Sequence, residues 1–230
     1  MKEQEAQQLL TQAKEQLKFL KQLGVSWFWS SAPKQEGKKS LLTALRQQVL
    51  NCQQCPLAQS RTNVVFGSGS TDAKLMFVGE APGYYEDQQG IPFVGAAGHL
   101  LDKILKAINI SRDQVFIGNI LKCRPPNNRD PIPDEIEQCQ GYLIKQIEII
   151  KPKLICTLGR FAAQTLLNTT IPITSLRGKF WDYHGIKLIA TYHPAFLLRN
   201  PNQKREVWED MKMVRDYLKQ CKAEVNEDIR

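Results

Sequence analysis

The sequence predicts an α/β fold in which a parallel sheet carries helices on both faces. Four short apolar runs have the length and composition of buried strands: LMFV at 75–78, VFIG at 115–118, LICTL at 154–158 and LIAT at 188–191. Segments with helical spacing of apolar residues lie between these runs. This alternation predicts a mostly parallel, four-stranded sheet that is covered on both sides.

One predicted helix follows each strand. The first is AAGHLLDKILKAI, the second DEIEQCQGYLIKQIEII, the third GRFAAQTLL and the last KREVWEDMKMVRDYLKQC. In the first and last of these, apolar side chains recur every three or four residues, as they do on the core-facing side of a helix. We therefore expect helices to cover the sheet.

The chain of 230 residues is long enough for one domain with a sizeable core. We predict an extension at 1–40, a main domain at 41–221 and a short tail at 222–230. The extension begins with an amphipathic helix over 1–23, followed by a polar linker with three aromatic residues. No apolar run reaches the roughly 20 residues of a membrane helix, and the amino-terminal segment lacks the apolar block of a signal peptide. We therefore expect a cytoplasmic protein without a membrane partner.

The formal net charge is +8 and the pI is about 9.2. A basic surface favours polyanionic partners, with nucleic acid as the first candidate. Solubility alone is the competing explanation for this charge.

Polar residues stand where the predicted strands end. Glu80, Asn119, the pair Gly159–Arg160 and His193 each follow a strand. Ligands of open parallel sheets bind beyond the carboxyl ends of the strands, so this set predicts a site. The segment GEAPG after the first strand resembles a phosphate loop, but acidic residues follow it and no G-x4-GK[ST] motif is present.

Four cysteines have a spacing that suits a metal centre. Cys52 and Cys55 form C-x2-C, and Cys123 and Cys139 form C-x15-C. Four thiolates can hold zinc or an iron–sulfur cluster, and their softness does not separate the two. A redox C-x2-C pair and unligated core cysteines are the competing explanations. The two remaining cysteines, in an apolar strand and in the last helical turn, are interpreted as structural.

Several motifs in order resemble the family 4 uracil-DNA glycosylases, which are iron–sulfur enzymes of base-excision repair in bacteria and archaea. They are GEAPGYYEDQQGIPFVGAAGHLLDKIL, NILKCRPPNNRDP with the later cysteine, TLGRFAA, RGKFW and TYHPAFLLRNPNQKREVWEDMK, spanning about 45–218. The resemblance implies a three-layer α/β/α domain that flips uracil out of single- or double-stranded DNA and hydrolyses its N-glycosidic bond. It also implies a monomer in the prokaryotic nucleoid. The four cysteines would hold a [4Fe–4S] cluster, with zinc as the less favoured alternative.

The resemblance also implies a role for each residue at the strand ends. Phe93 would stack on uracil, Asn119 would read its Watson–Crick edge and His193 would donate a hydrogen bond to its O2 atom. Glu80 would wall off carbon 5. The backbone of Ala81, Pro82 and Gly83 would form the pocket floor. Glu86 and Asp87 would stabilise the cationic sugar or position water, and Glu86 is the preferred candidate.

The segment HPAFLLR would meet DNA. Leu197 is the first choice for a wedge that fills the gap left by the flipped base, followed by Leu198 beside Arg199. The other phosphate-contact candidates are Lys122, Arg124, Arg129, Arg160, Arg177 and Lys179. The competing functional hypothesis is a non-catalytic nucleic-acid-binding module organised by a metal–thiolate site. One relative of this family has a Lys/Arg-rich insertion that ends in histidine, and it becomes trapped on DNA. The segment KCRPPNNRDP has no such insertion, so we expect this protein to release its product and turn over.

Overall fold

A computed structural model describes residues 37–227 and, ahead of them, residues 11, 12, 15 and 18, which are helical. The chain divides into two compact units, Met1–Gly37 and Lys38–Arg230. Apart from those four positions, the predicted helix over 1–23 lies outside the described residues, as does the linker after it up to residue 36. Residues 38–40, which were predicted as the end of that linker, are helical. None of the helices in the described part of the chain combines the length and apolar character that crossing a membrane requires.

The second unit is built on one sheet of six strands in the order β1-β3-β2-β4-β6-β5. The strands are β1 (Ser68–Gly69), β2 (Leu75–Gly79), β3 (Phe116–Asn119), β4 (Leu154–Leu158), β5 (Phe180–Tyr183) and β6 (Ile186–Thr191). The four strands predicted from apolar runs are β2, β3, β4 and β6, and they pair in parallel. The predicted α/β class is therefore confirmed.

The predicted strand number is wrong, because two antiparallel strands close the edges of the sheet. β1 has only two residues and no apolar run. β5 is amphipathic, and it joins β6 through His184 and Gly185, both at positive φ. A two-residue turn with two positive φ angles matches the twist of a hairpin. Neither edge strand carries the continuous apolar pattern by which central strands are recognised.

The helices of the described chain begin before the sheet and then alternate with its strands. They are α1 (Lys38–Leu50), α2 (Leu57–Ser60), α3 (Tyr84–Gln89), α4 (Ala96–Ala107), α5 (Pro133–Ile150), α6 (Arg160–Leu167), α7 (Ile173–Leu176), α8 (Pro194–Arg199) and α9 (Lys204–Glu227). The four predicted helices correspond to α4, α5, α6 and α9. The last continues beyond Cys221 to Glu227, through most of the predicted tail.

Two buried cores lie on opposite faces of the sheet. One contains Met76 and Val78 of β2 together with side chains of α1, α5 and α6. The other contains Leu75 and Phe77 together with side chains of α4, α8 and α9. Alternate residues of one strand thus enter different cores, as the two-residue period of a strand requires. The result is the expected three-layer α/β/α arrangement.

Candidate active site

A pocket of about 380 Å³ opens at the carboxyl ends of β2, β3 and β6. β2 and β3 pair in parallel with Gly79 opposite Asn119, so their ends lie side by side. The lining is Glu80, Ala81, Pro82, Gly83, Glu86, Phe93, Ala97, Asn119, Pro125, Asn128, Arg129, Asp130, His193, Ala195, Phe196 and Arg199. It therefore brings together all six residues predicted to bind the base, with Glu86 and His193.

Phe93 and Asn119 meet over Gly79. A β-carbon built on Gly79 would overlap Asn119 Oδ1 and lie 2.7 Å from Phe93 Cζ, so only glycine lets both side chains approach β2. Phe93 is 6 % exposed and has a φ of 54°, an uncommon backbone conformation for a non-glycine residue. Its backbone packs on Gly98 in the first turn of α4, where a side chain would overlap it.

Asn119 Oδ1 is buried and has no hydrogen-bond partner among the described residues. Buried polar atoms are almost always paired, and an unpaired acceptor is unfavourable by about 1–3 kcal/mol. An oxygen of this kind, aimed into a pocket, is available to accept a hydrogen bond from a ligand.

Glu86 is fixed by backbone groups. Its Oε1 accepts hydrogen bonds from the N–H groups of Val94 and Gly95, each at 2.9 Å. Its Oε2 lies 2.8 Å from the position of a β-carbon on Gly83, the residue just before α3. The carboxylate is thus held against the pocket wall.

Asp87, the second carboxylate predicted to be catalytic, has a different role. It is 2 % exposed and does not line the pocket. Its Oδ1 accepts hydrogen bonds from the backbone N–H groups of Thr62 (2.9 Å) and Asn63 (3.3 Å). Asp87 therefore fastens the loop before β1 to α3, away from the pocket lining.

Glu80 occupies a position that favours its protonated form. Its pKa is raised to about 7, mainly by burial and also by the negative charge of Asp130, whereas Arg160 acts in the opposite direction. Asp130 and Arg160 form an ion pair with each other at the mouth of the pocket. A carboxyl with this pKa can donate a hydrogen bond at neutral pH.

His193 caps the amino terminus of α8. Its Nδ1 accepts a hydrogen bond from the backbone N–H of Ala195 at 3.1 Å, so the proton of the neutral ring is assigned to Nε2. Burial lowers its pKa to about 4, with a further contribution from Arg199 and opposition from Glu86. The ring centroids of His193 and Phe93 are 5.6 Å apart. The site thus contains a neutral imidazole with a free N–H donor.

The predicted wedge residue must be corrected. Leu197 is 1 % exposed and packs in the core formed by α4, α8 and α9. Leu198 is 47 % exposed, and Arg199 beside it lines the pocket. Successive residues of a helix point about 100° apart, so only one of two adjacent leucines faces the core. Leu198 is the apolar side chain that can reach DNA.

The predicted phosphate contacts fall into two groups. Arg177 is paired with the buried Asp210 (2.9 Å), Arg129 with the buried Glu135 (2.6 Å), and Lys122 is itself buried. Lys122 and Arg177 are therefore structural, and Arg129 supports the pocket wall. The candidates that keep access to solvent are Arg124, Arg129, Arg160, Lys179 and Arg199.

Sequence reasoning missed the contribution of segment 125–130 to the pocket. Pro125, Asn128, Arg129 and Asp130 line it, although only Arg129 of this segment was predicted to contribute, as a phosphate contact. Arg129 makes a bidentate contact with Glu135 in the first turn of α5, which ties the segment to the helix. In the sequence, the one indication of this contact is an arginine six residues before a glutamate, with two prolines between them.

The four predicted metal ligands surround one small cavity. Its lining includes Cys52 and Cys55, between α1 and α2, and Cys123 and Cys139. All four are free thiols. Arg61 Nη1 donates a hydrogen bond to Cys123 Sγ at 3.2 Å. Four soft ligands next to a cation suit an anionic metal–thiolate centre.

Known proteins resemble this chain over most of its length. Residues 66–212 match the model of the uracil DNA glycosylase superfamily. The type-4 uracil-DNA glycosylase of Sulfurisphaera tokodaii is 49 % identical over 184 residues, 76 % of this chain and 84 % of that protein. The type-4 enzyme of Archaeoglobus fulgidus is 46 % identical over 178 residues (73 % and 88 %), and that of Thermotoga maritima is 43 % identical over 186 residues (79 % and 97 %). These matches confirm the resemblance found in the motifs. The chain therefore belongs to the uracil-DNA glycosylase superfamily and, within it, to the type-4 enzymes.

Proposed function

We propose that this chain removes uracil from DNA by hydrolysing the bond between the base and deoxyribose, which leaves an abasic site. The observation that carries the proposal is the unpaired Oδ1 of Asn119 beside the ring of Phe93. A flat base can stack on Phe93 while its edge pairs with the amide. The base must leave the DNA stack to reach this pocket.

Asn119 would distinguish uracil from cytosine. Its Oδ1 accepts from N3–H of uracil, and its amide group donates to O4. Cytosine has an acceptor at N3 and an amino group at C4. The acceptor Oδ1 would then face another acceptor, and the amide N–H would face another donor. A site built on paired hydrogen bonds rejects such a mismatch strongly. Glu80, next to the pocket floor, would take the place that a methyl group on carbon 5 would need.

His193 and Glu86 would act on the developing charges. As the bond between C1′ and N1 breaks, its electron pair goes to uracil, and negative charge gathers on O2. The neutral Nε2–H of His193 donates to that oxygen. The sugar becomes cationic, and the fixed carboxylate of Glu86 stabilises it and orients water. Water adds at C1′, and its proton neutralises the departing uracilate.

The four cysteines would hold a [4Fe–4S] cluster. Their C-x2-C and C-x15-C spacing matches the cluster pattern of the type-4 enzymes, which favours iron over zinc. No residue assigned to the hydrolysis needs an electron, so the cluster would stabilise the segments that carry its ligands. A brown protein with broad absorption near roughly 400 nm supports iron, whereas a colourless, zinc-loaded protein contradicts it.

The test uses oligonucleotides with a single uracil, in single- and double-stranded form. Incubation followed by alkali should cleave the strand at the uracil and nowhere in a matched thymine control. Salt-dependent DNA binding without base release would contradict the proposal and support the non-catalytic binding module. We further propose that the enzyme works as a monomer in the cytoplasm, on the nucleoid of a prokaryote, which light scattering and cell imaging can check.

A further inference from the structure

A buried lysine lies between the cysteine cavity and the base pocket. Lys122 is 1 % exposed and lines the cavity. Its Nζ donates hydrogen bonds to the carbonyl oxygen of Asn119 at 2.8 Å and to Oε1 of Gln146 at 2.7 Å. Its backbone N–H donates to Cys139 Sγ at 3.3 Å. One residue thus contacts both the residue that reads the base and a predicted cluster ligand.

Lys122 has no carboxylate to balance its charge. The half-buried side chain of Arg177, by contrast, pairs with the buried carboxylate of Asp210. Among the ion pairs of the described residues, none includes Lys122. An ammonium without a nearby negative charge is unfavourable in a protein interior, so an anion in the neighbouring cavity would stabilise it.

The cysteine cavity provides that charge. Lys122 shares the cavity with Cys123 and Cys139, and Arg61 brings a second cation to the Sγ of Cys123. Metal-bound cysteines are thiolates, and four of them outweigh the positive charge of an iron–sulfur core. A bound cluster would therefore be a net anion next to two cations.

We propose that Lys122 is a positioning residue that couples the cluster to the base pocket, an inference that rests on the proposed function. The anionic cluster keeps the ammonium stable in the interior. The ammonium in turn holds the carbonyl of Asn119 at the end of β3. The cluster thus serves uracil recognition through charge balance and takes no part in the chemical step.

The backbone around Asn119 explains why its carbonyl needs this partner. The next two residues continue the pairing with β2, since Ile120 N–H donates to Gly79 O and Leu121 N–H to Glu80 O, each at 3.0 Å. The carbonyl of Asn119 instead points to Lys122. Without the ammonium, the backbone carbonyl oxygen of Asn119 would lose its hydrogen bond, and the side-chain amide that reads the base would shift with the backbone. A misplacement of about 1 Å in a reacting site can lower the rate about 100-fold.

The first experiment replaces Lys122 in the holoenzyme by the uncharged residue of similar length. Lys122→Met should shift the midpoint potential of the cluster to more negative values, because a nearby cation favours the reduced state. It should also lower kcat/KM for a uracil-containing oligonucleotide by about tenfold or more. Voltammetry of the protein without DNA and excision kinetics measure the two effects separately.

A second variant adds a rival charge while leaving Lys122 in place. Gln146→Glu puts a carboxylate next to Nζ, so the potential should again become more negative. Excision should stay within about threefold of the wild-type value, since the ammonium still holds Asn119. Lys145→Met, an exposed lysine on the same helix, is the matched control and should change neither quantity.

Wild-type potentials in both Lys122→Met and Gln146→Glu would overturn the proposal, as would full excision activity of Lys122→Met. If Lys122→Met does not fold, the potential of Gln146→Glu decides alone. Because the potential is measured without DNA, failure of uracil excision in the wild-type protein is a separate result.

Discussion

Gly159 leaves His193 the space that it occupies: a β-carbon on Gly159 would lie 3.0 Å from His193 Cβ, tighter than side chains normally approach. Gly159 also has a φ of 91°, which strains any other residue. We expect Gly159→Ala to push the imidazole out of place and lower kcat/KM for uracil excision by about tenfold to 100-fold. Steady-state kinetics on a uracil-containing oligonucleotide provides the measurement.

Gly185 is the matched control for this prediction. Its φ of 83° carries the same strain, but nothing lies within 4 Å of an added β-carbon. Gly185→Ala should lower the free energy of unfolding by about 1 kcal/mol and leave excision unchanged. Equal losses of activity in both variants would show that strain, and not the contact with His193, is responsible.

Asn119→Ala should separate activity from stability. We expect kcat/KM to fall more than about 100-fold, because a recognition contact is lost. The free energy of unfolding should stay the same or rise, since Oδ1 has no partner among the described residues to lose. Kinetics and denaturant titration on one preparation check both. Full activity of this variant would contradict the pocket assignment.

Glu80→Gln should stabilise the protein above pH 7. The pKa of Glu80 is about 7 in the folded chain, against 4.5 for a solvent-exposed glutamate. The folded state therefore favours the protonated form, and the stability that this form provides is lost as pH rises from 4.5 through 7. Glutamine keeps the neutral shape, so its advantage should grow over this range and level off at about 2 kcal/mol, a value reduced for the partial exposure of Glu80. Unfolding titrations from pH 5 to 8 test this, and an advantage independent of pH would contradict it.

The adjacent leucines of α8 should give opposite results. Leu198→Ala should lower excision from double-stranded DNA about tenfold and from single-stranded DNA much less, because a wedge is needed only where a base must leave a duplex. Its stability should change by less than about 0.5 kcal/mol. Leu197→Ala should lower the free energy of unfolding by about 2–5 kcal/mol, as for other buried leucines. A duplex-specific defect in Leu197→Ala alone would reverse the assignment.

Arg177 and Lys179 are another pair with distinct expected roles. Arg177→Met leaves the buried carboxylate of Asp210 without its cation and should lower the free energy of unfolding by about 3 kcal/mol. Lys179 is exposed, with Nζ 4.6 Å from the centre of the Trp181 ring. Lys179→Met should instead weaken DNA binding and reduce the salt slope by about one. Binding isotherms at several salt concentrations, with thermal unfolding, separate the two effects.

The sequence predicted the parts of the fold that depend on continuous apolar patterns. β2, β3, β4 and β6 are buried on both faces, and their side chains need no partner of special chemistry. The edge strands β1 and β5 depend on pairing with a neighbour, which no local pattern records. The pocket residues at the strand ends could be predicted, because the carboxyl ends of neighbouring parallel strands lie together.

Burial within a motif could not be predicted. Asp87 and Leu197 stand beside Glu86 and Leu198 in sequence, and only the direction of each side chain from its helix decides which one faces the core. Ion pairs between distant segments, such as Arg177 with Asp210, likewise remove a basic residue from the surface. Such pairings depend on the folded arrangement of α9 and β6, which residue type does not reveal.

Segment 119–123, NILKC, has a consequence for how the protein can vary. Asn119, Lys122 and Cys123 lie close together along the chain. The length of this segment therefore fixes the distance between the base pocket and the cysteine cavity. One inserted residue would move every later side chain along the backbone by roughly 3.3 Å. No compensating shift elsewhere could restore both ends. Variation in length is therefore not expected between Asn119 and Cys123.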